Sequence, residues 1–351
     1  MRFGFSDDQL AFRDAVRDLL AKVAGPDTLR AVWAGDRGWD PAVWSHLAGM
    51  GVLGLLAPES AGGLALDETD LVLILEECGR AALPGPLVEH VAVAVPALAA
   101  AAQAGLPQNG DAAMTNAGVP AGVAGSAARW LRAAVAGDAV VSAAAGPSAV
   151  AFGAEADLLL VERDGAVHAV ERTDVTGVEP RTSVDRSRRF AEVTWSAATP
   201  LPAVDPALFR ARGAAGTAAV LCGLAAHLID TTAAYVQERR QFGVPVGSFQ
   251  AVKHHLADAL IALEHARPAV YCAAWSVATG QPTVGRDTSY AKVVADEAAG
   301  LAARVALQCH GAIGYTYEHD LHLWLKRVWS LQRAWGDTAH HREHVAAAVL
   351  G

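Results

Sequence analysis

Charge is scarce in this 351-residue chain. Asp, Glu, Lys and Arg make up 19% of it, aromatic residues 6%, and there are only four cysteines and three methionines. Each shortage excludes something. With 52% hydrophobic residues against so few charges, a chain of this length buries a substantial core, which rules out wholesale disorder. No run of Lys or Arg concentrates positive charge and the formal net charge is −9, so nucleic acid is not expected as a main partner. Cys78, Cys222, Cys272 and Cys309 are scattered without a C-x-x-C pair. They fit reduced, mostly buried thiols of a cytoplasmic protein, and neither a disulfide frame nor a metal site is expected. The start, Met1-Arg2-Phe3-Gly4, lacks a basic region followed by an apolar run, so no signal peptide is read. Mean hydropathy is +0.24. The longest apolar run, 213–229, nevertheless contains Thr217 and His227 and stops at Asp230, which reads as a buried core helix and not as a membrane span.

The pattern changes twice along the chain. Ser6 and Gln9 have capping-box spacing, Phe5 can staple onto Leu10, and Phe12, Val16, Leu19, Leu20 and Val23 recur at helical spacing up to Gly25-Pro26. Asp40-Pro41 opens a second helix. A third runs from Asp67 to about Arg80 through Leu71, Ile74, Leu75 and Cys78, and a fourth follows Pro84-Gly85-Pro86. From about residue 106 the text is rich in Gly, Ala, Pro and Asn. It then breaks into short β-like runs at 139–142, 149–152, 158–162, 167–171 and 190–195, with Asp164-Gly165 and Thr176-Gly177 as turn signals. Helical periodicity returns after Pro206 in four pieces, about 207–240, 248–279, 287–310 and 338–349, which suggests a bundle. The expected division is a helical domain over 1–105, a reduced β-domain over 106–205 and a helical bundle over 206–351.

Two motifs fail on context. Gly49-Met50-Gly51-Val52-Leu53-Gly54 fits G-x-G-x-x-G, but a capped helix precedes it where a dinucleotide fold needs a strand. His340-His341-Arg342-Glu343-His344 fits a zinc-peptidase pattern, but seven residues follow it, too few for a third ligand, and it reads as a solvated helix face. The informative residues lie elsewhere. Glu238-Arg239-Arg240-Gln241-Phe242-Gly243 closes a long helix with basic residues and a glycine, which compensation of the helix dipole alone would explain. Yet Ser248-Phe249-Gln250 opens the next helix, and Gln308-Cys309-His310-Gly311-Ala312-Ile313-Gly314-Tyr315-Thr316 ends a third in a glycine-rich turn. A guanidinium, two carboxamides and a turn that brings backbone N–H groups close are the donors a diphosphate needs.

With these segments the chain resembles the acyl-CoA dehydrogenase family over nearly its whole length. Trp44, Leu47, Gly51-Val52-Leu53-Gly54-Leu55, Pro58-Glu59, Gly62-Gly63 and Glu76-Glu77-Cys78-Gly79-Arg80 resemble its first helical domain. The 238–243, Phe249-Gln250 and 308–316 segments resemble its flavin-binding segments. The resemblance implies a mainly α fold with a small β-domain: an N-terminal helical domain, a middle β-domain and a C-terminal four-helix bundle, assembled as homodimers or homotetramers with FAD at subunit boundaries. Arg239, Phe242 and Gln250 would hold the diphosphate and adenosine side from one subunit. Gln308, Gly311 and Gly314 would approach from the neighbour, and Thr338 would make a further flavin contact. The implied reaction is α,β-desaturation of an acyl-CoA thioester: a carboxylate takes the α-proton, the β-hydride goes to flavin N5, and an electron-transfer flavoprotein accepts the electrons.

The chain departs from the family pattern at the base. The family's Glu lies near the start of the last helix, where this chain has Ala334-Trp335-Gly336-Asp337-Thr338, and the upstream position used by some members falls near Gly213. Asp337, the only acid in either window, is the candidate catalytic base, with a helix cap as its ordinary alternative. Ala113-Met114-Thr115-Asn116-Ala117-Gly118 sits where the family has a loop against the isoalloxazine. Short members without a clear Glu resemble minor subunits of heteromeric acyl-CoA dehydrogenases, including those handling steroid side chains. Three functions follow: an FAD-dependent acyl-CoA dehydrogenase, alone or in a heterotetramer with a Glu-bearing homologue; a non-catalytic or half-site partner subunit; and a flavin monooxygenase on the same fold.

Overall fold

A computed structural model describes residues 4–104, 120–146 and 149–351. The 113–118 loop lies outside the described residues. Helix α1 (Asp7–Val23) starts in the expected capping box: the Ser6 hydroxyl accepts from the Gln9 N–H while the Gln9 side chain accepts from the Ser6 N–H. Helix α2 (Pro26–Ala34) follows Gly25, and α3 (Pro41–Gly49) is capped by the Asp40 carboxylate on the Ala42 and Val43 amides. After α4 (Glu68–Arg80), the apolar stretch begins as a π-helix over Val88–Ala94 and becomes α5 (Val95–Gln103). The Val95 N–H reaches back five residues to the His90 carbonyl, one residue before Pro96, which has no N–H to offer a regular ladder.

The stretch rich in Gly, Ala, Pro and Asn, placed in the expected β-domain, runs into α6 (Ala121–Ala136), closed by Gly137 in the left-handed conformation. Alanine's helix propensity outweighs the glycines there. Among the described residues seven short strands follow: β1 (Val141–Ala144), β2 (Val150–Ala151), β3 (Leu158–Arg163), β4 (Ala166–Glu171), β5 (Val175–Arg181), β6 (Phe190–Trp195) and β7 (Thr199–Pro200). They form a four-stranded sheet, β1-β3-β4-β7, and a three-stranded one, β2-β6-β5; β1 and β3 are parallel and the other pairs antiparallel. Leu159, Val161, Val170, Ala191 and Val193 belong to the core that the two sheets share. Thr176-Gly177, expected as a turn, lies inside β5 at a register shift. A Cβ on residue 177 would lie 2.6 Å from Thr194 Oγ1, so the glycine serves a bulge and not a reversal.

The rest is helical: α7 (Pro206–Glu238), a hairpin of β8 (Arg240–Gln241) and β9 (Val244–Pro245), α8 (Gln250–Ala278), α9 (Val284–His310), α10 (Leu321–Leu331) and α11 (Thr338–Leu350). Helix α10 adds to the four helices expected from periodicity; it is short beside α7, α8 and α9, and most of its residues are buried. Among the described residues α7 alone is long and apolar enough to cross a membrane, and two-thirds of its apolar window is buried, as in a core helix.

These elements gather into two compact units that interleave along the chain: a bundle unit (Met1–Arg30, Val72–Leu83, Ala214–Gly351) and a sheet unit (Ala31–Leu71, Pro84–Gly213). Within the bundle unit, α4 and α7 meet backbone to backbone. A Cβ on Gly79 would lie 2.1 Å from the Val220 carbonyl oxygen, and one on Gly223 would lie 1.8 Å from that of Glu76. Both glycines are required by that approach. Glu76 also accepts from Arg267 and from the Tyr271 hydroxyl, which ties α4 to α8.

Candidate functional site

Every candidate residue lies in the bundle unit. Helix α7 ends with the Arg239 N–H on the Tyr235 carbonyl, and the chain reverses in the β8–β9 hairpin. Its two-residue loop is Phe242-Gly243, with φ of 54° and 82°. Positive φ at both positions is the primed turn that suits a tight hairpin, and a phenylalanine held there costs roughly 1–2 kcal/mol. The strain presents an aromatic ring to the outside: Phe242 is 92% exposed and meets the Phe249 ring edge-on, 6.2 Å away, at the entrance to α8. Arg239, Arg240 and Gln250 are exposed around it.

The end of α9 is built in the same spirit. Gln308 is exposed and His310 buried, and Gly311 adopts φ 62°, ψ −140°, a region open only to glycine. A short 3-10 turn, Gly311–Tyr315, follows. In it Gly314 is buried, and a Cβ there would press on His310 and Leu307 at 3.1–3.2 Å. Tyr315 is 74% exposed.

One aromatic joint connects these helix ends. The Tyr235 and His310 rings stack at 4.2 Å, and His319 meets His310 edge-on at 4.9 Å. Tyr235 lies one turn before Arg239 and His310 two residues after Gln308, so the two motifs emerge from the same end of the bundle. His310 Nδ1 donates to the Ala306 carbonyl at 2.8 Å, and burial lowers the ring's pKa. Its Nε2 has no hydrogen-bond partner among the described residues. Sequence reasoning missed Tyr235 and His319. The available signal was their spacing from the two motifs, which means little until the helices are seen to converge.

Asp337 and Thr338 form a second group. They stand where the turn after α10 meets α9 near Asp296, twelve residues and so about 18 Å along α9 from Gln308. The Asp337 carboxylate caps α11, accepting from the His340 N–H at 3.0 Å. That bond holds its pKa below the usual carboxylate value, and the residue is exposed. The Thr338 hydroxyl donates inward to Asp296 Oδ2 at 3.1 Å. Gly336 has φ 104°, and a Cβ there would lie 2.6 Å from His340 and 2.8 Å from His341. The solvated-face reading of 340–344 needs one correction: His341 is buried. Its Nε2 donates to the Trp335 carbonyl while its Nδ1 accepts from the Ser289 hydroxyl, and burial lowers its pKa to about 4.

The donor set suits a phosphorylated, aromatic-bearing ligand such as a dinucleotide. A guanidinium supplies fixed charge, two carboxamides supply paired donors and acceptors, and a glycine turn and an exposed phenylalanine supply close backbone and a stacking face. Among the described residues no three His, Cys, Asp or Glu side chains gather as a metal site.

Comparison with known proteins follows that chemistry. Residues 6–109 match the acyl-CoA dehydrogenase N-terminal domain and residues 210–350 the acyl-CoA dehydrogenase C-terminal domain. The chain is 33% identical to acyl-CoA dehydrogenase IpdE2 of Mycobacterium tuberculosis, over 92% of this chain and 91% of that one. Its fold matches a variant of the Tcur3481–Tcur3483 steroid ACAD with a TM-score of 0.84 and 25% identity, covering 98% of each chain. A chain of the ChsE4–ChsE5 complex from Mycobacterium tuberculosis has the same fold, with a TM-score of 0.82 and 23% identity over 100% of this chain and 99% of that one.

Proposed function

The chain belongs to the acyl-CoA dehydrogenase family, and from that premise we propose that it serves FAD-dependent α,β-desaturation of an acyl-CoA thioester as one subunit of an oligomer. The observation that carries this reading is that the Arg239–Phe242–Gln250 and Gln308–Gly311–Gly314 motifs leave the same end of the bundle, on either side of the Tyr235–His310 stack, so that in an oligomer the first motif of one chain can meet the second motif of its neighbour. All of their polar side chains face outward, where a second subunit can complete the site. Arg239 would neutralise the diphosphate, Phe242 would offer its exposed face to the adenine, and Gln250 would bond the adenosine side. From the neighbouring subunit, Gln308 and the turn at Gly311 and Gly314 would approach the same group. Bound FAD supplies the acceptor for the β-hydride, and an electron-transfer flavoprotein is the proposed onward acceptor. The four free cysteines fit a reducing, cytoplasmic setting.

The base divides two readings. For the chain acting alone, Asp337 would take the α-proton. A carboxylate whose pKa is lowered by a capping bond is a weak general base, because efficient proton removal needs a pKa close to the working pH. Position 336, next to Asp337, cannot carry an acid in its place, because any side chain there would strike His340 and His341. These two observations favour a heteromer in which a Glu-bearing homologue supplies the base and this chain supplies part of the flavin site.

The test is anaerobic. The chain is purified alone and with such a homologue, FAD is counted by absorbance, and bleaching is followed with acyl-CoA thioesters. The series includes a steroid thioester, because the Tcur3481–Tcur3483 neighbour is a steroid ACAD. In the heteromer reading the chain alone does not bleach, and Asp337→Asn leaves turnover of the mixed assembly unchanged. Bleaching by the chain alone that disappears in Asp337→Asn would restore Asp337 as the base. Failure to take up FAD in either form would end the flavin reading.

A further inference from the structure

Lys292 is fully buried on α9, and its ammonium has four acceptors within reach. The two Asp296 carboxylate oxygens lie at 2.8 Å each, and the carbonyl oxygens of Gln332 and Gly336 at 3.2 Å each. Asp296, also fully buried, accepts the Thr338 hydroxyl on Oδ2, and its backbone carbonyl accepts the Gln332 side-chain amide at 2.9 Å. One turn earlier on the same helix, Ser289 holds His341, which in turn holds the Trp335 carbonyl. Apart from the Lys292–Asp296 pair itself, every bond that leaves α9 here ends on a single stretch, 332–341. That stretch contains two successive left-handed residues, Trp335 at φ 58° and Gly336 at φ 104°.

A buried ion pair is a poor device for stability, because the desolvation of both charges offsets their attraction. Here the pair does what an apolar substitute could not. The ammonium collects two carbonyls that the end of α10 and the strained turn leave without ladder partners, and the carboxylate fixes the first residue of α11. Non-glycine backbone at positive φ persists only where its surroundings over-determine it, and these bonds over-determine Trp335.

We propose that Lys292 and Asp296 are positioning residues that set, from inside the bundle, the course of the 332–341 turn and so the place of Thr338 at the start of α11 beside the ligand surface. The proposal rests on the reading of that surface as a flavin site, and its test separates the two. Hydrogen–deuterium exchange of the full-length chain is followed in the peptides spanning 329–345. Asp296→Asn keeps the shape and one acceptor oxygen but removes the charge that holds Lys292. It should raise exchange in the 332–341 stretch roughly tenfold while the β3–β4 peptides stay unchanged. Thr338→Val, the milder variant, should raise exchange over 335–341 and weaken FAD binding about fivefold in a fluorescence titration, and Thr338→Ser should restore both. Unchanged exchange in folded Asp296→Asn or Thr338→Val overturns the proposal. Loosened exchange in Thr338→Val with undiminished FAD affinity overturns its functional half. If Asp296→Asn does not fold, the two Thr338 variants decide alone. If the wild-type chain, with or without a homologue, takes up no FAD, the flavin reading fails while the exchange arms still judge the clamp.

Discussion

The bundle unit and the sheet unit each bury an ion pair, Lys292–Asp296 and Arg188–Glu89, and the two pairs are constructed differently. The first is saturated: the ammonium reaches four acceptors, and the carboxylate adds the Thr338 hydroxyl. The second makes one hydrogen bond, Arg188 to Glu89 Oε1 at 3.0 Å, and leaves Glu89 Oε2 and Arg188 Nε without partners among the described residues. Glu89 sits in the π-helix and the Arg188 guanidinium lies over the Phe190 ring. Similar burial therefore gives a saturated clamp on a turn in one unit and an unsaturated pair between the π-helix and the turn before β6 in the other. Buried charge stabilises by what else it organises, not by the pair alone.

Substitution is the hardest way to break this comparison. Lys292→Met strands a buried carboxylate and should cost about 3–5 kcal/mol in denaturant unfolding, as should Arg188→Met. The double variants should part company. Arg188→Met with Glu89→Leu removes both half-satisfied charges and should return to within about 1 kcal/mol of the parent or exceed it. Lys292→Met with Asp296→Leu should stay at least about 2 kcal/mol below, because the Gln332 and Gly336 carbonyls and the Thr338 hydroxyl lose their partners. Equal recovery of the two doubles would erase the distinction.

A smaller contrast concerns close packing. Gly223→Ala in the bundle unit drives a methyl into the Glu76 carbonyl of α4, and backbone cannot yield. Gly54→Ala in the sheet unit meets the Val135 side chain at 2.5 Å, and a side chain yields by a small shift more readily than a backbone carbonyl does. We expect about 2–3 kcal/mol for the first and about 1 kcal/mol for the second, read from unfolding midpoints.

Acid sharpens the comparison with opposite signs. In the sheet unit His90 accepts from the Val141 N–H and donates to the Ala134 carbonyl, and burial lowers its pKa to about 4. The unfolded ring takes a proton near 6.5, so stability is full above that pH and falls as pH drops toward 4, by up to about 1.4 kcal/mol per pH unit. Asp296 in the bundle unit behaves conversely. Burial raises its pKa to about 6, so its contribution is fully present below the unfolded carboxyl value and is lost as pH rises through about 6. His90→Gln should flatten the loss of stability between pH 6.5 and 4, and Asp296→Asn should steepen it. The reverse order would refute the assignment. The smallest expected effect is that of a cap: Asp40→Ala should cost about 1 kcal/mol, with no change in the exchange of the 332–341 stretch.

How much of this was legible beforehand depended on the reach of each interaction. The Ser6–Gln9 box and the Asp40 cap were readable because donor and acceptor lie two or three residues apart. The glycine-rich end of α9 was readable because a turn of that kind advertises its own chemistry. Helix α6 was hidden by glycines that merely lower propensity, and β5 by a glycine that marks a bulge. Helix α10 was passed over although His322, Lys326 and Ser330 recur every fourth residue along it, because eleven residues give too few turns for the repeat to stand out. At the candidate site, Arg239, Phe242 and Gln308 could be singled out by residue type. Asp337 could be nominated as a base or a cap, and its cap on the His340 N–H spans three residues like the others; only its suitability as a base depended on its surroundings in the fold.

Residue order alone was therefore sufficient for the family, the sequence of helical and strand segments and the donor chemistry of the two motifs, all of which rest on short-range contacts and on what each side chain can offer. Folding in three dimensions decided that Gly79 and Gly223 meet opposing backbones across α4 and α7, that Tyr235 joins His310, and that Lys292 reaches carbonyls forty and forty-four residues away. Such pairings are selected by the packing of whole elements, and no window of neighbouring residues carries their record.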